Sequence, residues 1–309
     1  MKKALLLALK IIVTVGLIFW LIERVDWGSV LAKLTEVSWP LLFLYIVFQL
    51  SGNLISAKKW QIIARFKGLT FSLKEAFFAY LTGSFINNFL PSTIGGDTYR
   101  ALWLAEKSEA KAASFSTVVF DRFIGLWTIA LLSLLSSPVL FPFIKESPSL
   151  AITYGVLIVF FVVDLIITYV YCKQWFHRLV ARLPFFKLRR FLEEIIFYTK
   201  KHIWLRTSLW STLFIFVGLV LSNFTLFHAL GSDVSIIPFA SVMFLVAIVS
   251  SVPLSINNIG IKEWAYITFF SLIGINIETA VTVALLSRFI QMLLSFIALP
   301  HYLASREKE

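Results

Sequence analysis

Six ionisable side chains lie inside or against long apolar runs: Asp97, Asp121, Arg122, Asp164, Glu263 and Arg288. Arg100 and Lys262 stand beside them. A charge in hydrocarbon is costly, so each of these groups needs an opposite partner or a wet cavity. Asp121 and Arg122 are sequence neighbours; they leave a helix about 100° apart and cannot share a face. Arg122 is therefore expected to reach Asp97, 25 residues upstream, and Arg288 to reach Glu263 at the same spacing. Such pairs have two compatible uses. They pin one helix to the next, and they frame a cavity with guanidinium groups suited to phosphate.

The residues before each acid extend that chemistry. Gly95-Gly96-Asp97 opens a helix, whose free N–H groups and positive dipole end suit an anion, although an Asp there also serves as a cap. Asn87 and Asn88 precede the first break, and Asn257 and Asn258 lie in the second. They supply neutral donors and acceptors, for a ligand or for backbone groups freed where a helix stops. Catalytic signatures are missing. His177, His202, His228 and His301 lack metal-ligand spacing, and no P-loop, dinucleotide fingerprint or nucleophile elbow occurs. The expectation is a non-enzymatic protein without metal or cofactor.

The elements that must hold these residues are membrane helices. Of 309 residues, 59% are hydrophobic and 15% charged, against about 25% charged in a soluble domain. One cysteine, Cys172, excludes an internal disulfide. Apolar runs at 4–24, 39–57, 112–136, 150–171, 207–230 and 278–300 give about six full spans. The first reads as an uncleaved signal anchor. Two further runs, 75–90 and 236–252, are broken by Pro91-Ser92-Thr93-Ile94-Gly95-Gly96 and by Pro253 through Gly260. Each break is followed by a second short piece, 97–107 or 262–277, and each unit reads as a re-entrant hairpin.

These units repeat. Arg122-Phe123-Ile124 recurs as Arg288-Phe289-Ile290, at an offset of 166 that also carries Asp97 onto Glu263. One connecting span lies between the copies, which inverts the second relative to the first, a construction used by secondary transporters. The expected fold is an all-α polytopic membrane protein with an inverted repeat. It forms a single membrane domain over 1–309. That domain divides into a signal-anchor span and outer amphipathic segment (1–38), a first repeat (39–136), a connector span and basic cytoplasmic segment (137–206) and a second repeat (207–303).

The charge of +11 follows topology rather than nucleic acid. With the N-terminus inside and both hairpins re-entrant, 21 Lys and Arg fall on the cytoplasmic side, 3 outside and 4 in the hairpin system. Both termini are then cytoplasmic, in the inner membrane. Segment 172–206 reads as interfacial amphipathic helices on anionic lipid, or as a docking surface for a partner enzyme.

Phe89-Leu90-Pro91-Ser92-Thr93-Ile94-Gly95-Gly96-Asp97-Thr98-Tyr99-Arg100-Ala101 resembles the Leu-Pro…Gly-Gly-Asp…Arg signature of the lysylphosphatidylglycerol synthase membrane-domain family, also called flippase-like. Asp121-Arg122 stands where that family usually has Glu-Arg. Pro253-Leu254-Ser255, Ile259-Gly260-Ile261-Lys262-Glu263 and Ser287-Arg288 resemble its second signature. The resemblance covers nearly the whole chain and implies a multi-pass bacterial or archaeal membrane protein handling lipids. In the full synthases this part is associated with moving the aminoacylated lipid, while a soluble domain, expected to be missing here, performs lysyl transfer.

The leading expectation is a translocase for an anionic, phosphate-bearing lipid. Arg122, Arg288 and Arg100 would contact phosphate, and the Gly95-Gly96 turn would donate N–H groups. Asp97 and Glu263 would orient the arginines or exchange protons. The alternatives are a membrane-embedded headgroup transferase and a non-catalytic partner of a glycosyltransferase or lipid-modifying enzyme. Topology has a direct test. In a Cys172→Ser background, Lys187→Cys should react with an impermeant maleimide only in inside-out vesicles; labelling confined to the periplasmic face would reverse the scheme.

Overall fold

The computed structural model describes residues 2–90, 94–144, 147–171, 193, 198, 201–252, 254–300 and 303. Pro91, Ser92, Thr93, Pro253 and most of the basic segment 172–206 lie outside the described residues. Among those described, every regular element is helical. Helix α1 (Lys2–Arg24) leads to α2 (Trp27–Thr35), which Asp26 caps through the Gly28 N–H at 3.0 Å and the Ser29 hydroxyl at 2.7 Å. The Ser29 hydroxyl and the backbone N–H groups of Ser29 and Gly28 hold the Asp26 carboxyl below its ordinary range.

A first set follows: α3 (Trp39–Phe66), α4 (Leu73–Phe89), α5 (Ile94–Ser108) and α6 (Lys111–Leu135). Pro40 sits in the first turn of α3, where its missing N–H costs nothing. Ser72 and Glu75 form a reciprocal capping box at the start of α4. Lys107, at the end of α5, bonds the same Glu75, so the two ends of the α4–α5 unit meet. After the short α7 (Ser137–Leu140) comes α8 (Pro148–Tyr171). The second set begins with α9, an α-helix over Lys201–Phe214 and Ser222–Ala229 with a π-helical turn, Ile215–Leu221, between them. Then come α10 (Ile236–Ser251), α11 (Ile261–Phe270) and α12 (Ile277–Ser295).

Among the described residues, four helices are long and apolar enough to cross a membrane: Trp39–Phe66, Lys111–Leu135, His202–Ala229 and Ile277–Ala298. Helices α1 and α8 have 23 and 24 residues. Large apolar side chains stay exposed along α8, including Ile152, Val156 and Val159, and along α9 at Leu205 and Leu209. An apolar exterior of this kind is what lipid tails require.

Several boundaries differ from the sequence expectation: α9 starts at Lys201 rather than near 207, and α11 ends at Phe270 rather than near 277. Helix α3 continues to Phe66 rather than stopping near 57. Its extra turns carry Lys58, Lys59 and Gln61, which read as loop by hydropathy but find partners: Lys58 bonds Gln61 at 3.0 Å, and Gln61 bonds the Phe71 carbonyl at 2.7 Å. Lys59 is 5% exposed, so it does not count among the interfacial charges. Gly95 and Gly96 lie inside the first turn of α5, which begins at Ile94, rather than in a turn ahead of it.

The two helix sets pack reciprocally. Helix α3 lies along α9; α4 packs on α12, and α10 packs on α6. At the centre of the α3–α9 contact, a Cβ on Gly52 would come within 2.5 Å of the Gly218 Cα, and one on Gly218 within 2.8 Å of the Gly52 Cα. The α4–α5 crossing is equally tight: a Cβ on Gly96 would stand 2.2 Å from the Gly83 carbonyl oxygen. The core around the second set is aromatic, with Phe227 against Phe239, Tyr266 and Phe270, and Phe239 against Phe270. The first set has its own cluster of Trp60, Phe71 and Trp103. Because backbone meets backbone at Gly52, Gly52→Val should cost at least about 1–3 kcal/mol and lower the Tm in detergent. Gly155→Val, where no atom lies within 4 Å of an added Cβ, should leave it unchanged.

Candidate functional site

The ion pairs expected from the 25-residue spacing both form. Arg122 makes a bidentate fork on Asp97, Nε to Oδ2 at 2.7 Å and Nη2 to Oδ1 at 2.9 Å. Arg288 bonds Glu263 Oε1 through Nη2 at 2.9 Å and Nε at 3.2 Å. The acids sit in the first turns of α5 and α11, and the arginines lie on α6 and α12.

Around Asp97 the network widens. Arg100 donates to Asp97 at 2.7 Å and to Asp121 at 3.1 Å. Asp121 turns away from Arg122, as the 100° step demands. It pairs with Lys59 Nζ at 3.0 Å and accepts the Tyr80 hydroxyl. The Arg100 guanidinium lies 4.0 Å from the Tyr80 ring centroid and 5.1 Å from that of Trp60. Asp121, Lys59 and Arg100 are buried, whereas the Arg122 side chain is 57% exposed. Arg100 therefore binds the two carboxylates to each other, and Arg122 is the cation that faces outward.

The second cluster is wired differently. Glu263 Oε2 accepts the Gly260 N–H at 2.7 Å. Arg288 also bonds the carbonyls of Asn257 at 3.0 Å and Asn258 at 3.1 Å, so it closes the backbone of the break itself. Both asparagines are left-handed, at φ 48° and 57°, and Gly260 has φ 84°; Asn and Gly tolerate this region best. Lys262 Nζ donates to Ser287 Oγ at 2.8 Å and meets no carboxylate within 4 Å among the described residues.

Asn87 and Asn258 satisfy backbone groups, whereas Asn88 bonds a side-chain hydroxyl. Asn87 Oδ1 accepts the Gly96 N–H at 2.7 Å, Asn258 donates to the Ser250 carbonyl, and Asn88 bonds Ser295 at 2.8 Å. The Gly96 N–H is thus already engaged. Asp164 accepts the Trp127 indole N–H at 3.2 Å and lies apart from both clusters. Hydropathy hid Lys59, Tyr80 and Trp60. It also hid the support that α1 gives the second break, where Thr14 accepts the Ile256 N–H at 2.9 Å and Leu17 packs on Gly260.

The sequence matches the family described as the lysylphosphatidylglycerol synthase TM region over residues 7–298. The chain belongs to this family. It is also similar to a UPF0104 membrane protein of Methanocaldococcus jannaschii, 36% identical over 81 residues. That stretch covers 26% of this chain and 24% of the relative. The match spans both clusters, which places this multi-pass membrane protein's charged residues inside the family's membrane domain.

Asp121→Asn should cost about 3–5 kcal/mol, because it leaves two buried cations short of a counter-charge. Adding Lys59→Met should recover part of that loss in a double-mutant cycle read by Tm. Arg122→Ala, at an exposed position, should cost less than Asp121→Asn. Strict additivity of Asp121→Asn and Lys59→Met would argue against the contact.

Proposed function

We propose that this protein is a translocase that moves an anionic, phosphate-bearing lipid or lipid-linked headgroup across the cytoplasmic membrane. The observation that carries the reading is the charge of the two clusters. Lys59, Arg100 and Arg122 face Asp97 and Asp121 in the first, and Lys262 and Arg288 face Glu263 in the second. Each holds one cation more than its carboxylates balance, and a phosphodiester supplies one negative charge. Arg122 has three N–H groups left after its fork on Asp97, enough for a phosphate to bridge.

An inverted repeat is part of the same reading. Helices α4, α5 and α6 start at 73, 94 and 111, and α10, α11 and α12 at 236, 261 and 277, offsets of 163, 167 and 166. Gly52 and Gly218 are also 166 apart and touch each other, as equivalent residues do on a two-fold axis. The reciprocal packing of α4 on α12 and α10 on α6 has the same symmetry. In this scheme α1, α3, α6, α8, α9 and α12 are the spans, and α4–α5 and α10–α11 are re-entrant hairpins entering from opposite faces. The domain divisions at 38, 136 and 206 follow it, with both termini cytoplasmic.

The headgroup moves between Arg122 and Arg288 while the acyl tails stay in lipid. The described residues of the two breaks, Asn87, Asn88, Gly95, Gly96, Asn257, Asn258 and Gly260, shape the path around these cations. No covalent step is required, so the protein works without a cofactor, and a partner enzyme docking on 172–206 would supply or consume the lipid.

Flip rates in proteoliposomes at matched incorporation test the reading. Arg122→Lys keeps the charge but loses the fork, and should leave a folded protein with transport reduced at least about tenfold, the cost of one lost charge-assisted hydrogen bond. Arg288→Lys should reduce both transport and Tm, since Arg288 also holds two backbone carbonyls. Wild-type rates in Arg122→Lys would remove the phosphate role. A covalently altered lipid would favour a transferase, and flipping only with an added enzyme would favour a partner role.

A further inference from the structure

The surplus cations of the two clusters differ in one chemical respect. In the first cluster the buried amine, Lys59, is fixed on Asp121 at 3.0 Å, and the other cations, Arg100 and Arg122, are guanidinium groups. Guanidinium does not lose its proton in a protein. In the second cluster Glu263 is occupied by Arg288 and the Gly260 N–H. The surplus charge therefore rests on Lys262, an amine whose hydrogen-bond partner is the neutral Ser287 hydroxyl at 2.8 Å. Ser287 in turn donates to the Ala284 carbonyl at 2.9 Å, so it is set as an acceptor towards Lys262.

We propose that Lys262 is the proton-carrying group of transport, protonated when the anionic headgroup is bound and neutral when it is absent. This rests on the translocase reading and names its coupling ion. The surroundings point the same way. Glu263 lies on Lys262's own helix, Arg288 on α12, Tyr266 one turn along with its ring centroid 5.6 Å away, and Tyr45 reaches Ser287 from α3. Helix α1 meets the break through Thr14 and Leu17, and α10 through Ser250, all uncharged. Without a ligand, two cations thus share one carboxylate. A phosphate completes the balance and holds the ammonium in its charged form. When the phosphate leaves, an Nζ–H bond breaks, the proton passes to water, and the neutral amine keeps an N–H on Ser287. Lipid anion and proton then move together, which explains how a protein without a nucleotide site could work uphill.

Two readouts separate this assignment from the translocase reading. In weakly buffered detergent solution, wild-type protein binding dioleoylphosphatidylglycerol should take up at most about one proton per lipid. Lys262→Arg should bind the lipid with no uptake. In proteoliposomes, flipping of a short-chain fluorescent phosphatidylglycerol by the wild type should fall by up to about tenfold per pH unit on the alkaline side. The Lys262→Arg rate should not change over that range. If Lys262→Arg does not fold, Lys262→Gln takes its place and should likewise show no uptake. Uptake by the variant equal to wild type, or none by wild type at any pH, would overturn the assignment. Uptake without flipping would leave Lys262 as the linked group and remove the translocase reading instead.

Discussion

The Asp121 carboxylate fixes the arrangement of the first helix set. It is a buried anion on α6 that draws in Lys59 from α3, Tyr80 from α4 and Arg100 from α5. No subset of these groups is comfortable alone, because each removed partner leaves a charge without water to solvate it. Four helices therefore meet at one point for an electrostatic reason, and the glycine contact of α4 with α5 and the tilted ring contacts of Trp60 with Phe71 and Trp103 are compatible with that point. Asp97 extends the network through Arg100 to Arg122, so the outward-facing cation is oriented by the most buried pair.

The second cluster uses a different device for a similar end. Where the first set positions its arginine with a chain of charges, the second uses backbone. Left-handed asparagines turn two carbonyls onto Arg288, and Gly260 turns its N–H onto Glu263. Arg122 is 57% exposed and Arg288 28%. The same pair of residue types, at the same spacing, thus serves a rigid break on one side and an accessible cation on the other.

Much of this was legible in the residues. The composition marks membrane helices, and the equal spacing of acid and arginine named both ion pairs, because an unpaired charge in an apolar run has few other resolutions. The helical class and the membership of the family follow from the same motifs. Lys59 was not legible. It follows Lys58, and two adjacent lysines after an apolar run read as the end of a span; only the Asp121 carboxylate opposite, 62 residues away, keeps it inside. The support of the second break by α1 was hidden as well, since Thr14 and Leu17 are unremarkable in an apolar helix. Gly52 and Gly218 carry no signal individually; their meaning is their mutual contact.

That contact has a mechanical consequence. Gly52 lies near the middle of a 28-residue helix, so each end of α3 is about 20 Å from it. Backbone meets backbone there beside the Phe214 ring, and the helix opposite is wound more loosely over Ile215–Leu221, with Gly218 inside the widened turn. The crossing is a fulcrum with two long lever arms. A tilt of about 10° between α3 and α9 displaces their ends by about 3–4 Å while the atoms at the fulcrum barely move. The leverage lies at the two membrane faces, where a gap of that size is wide enough to admit a water molecule about 2.8 Å across.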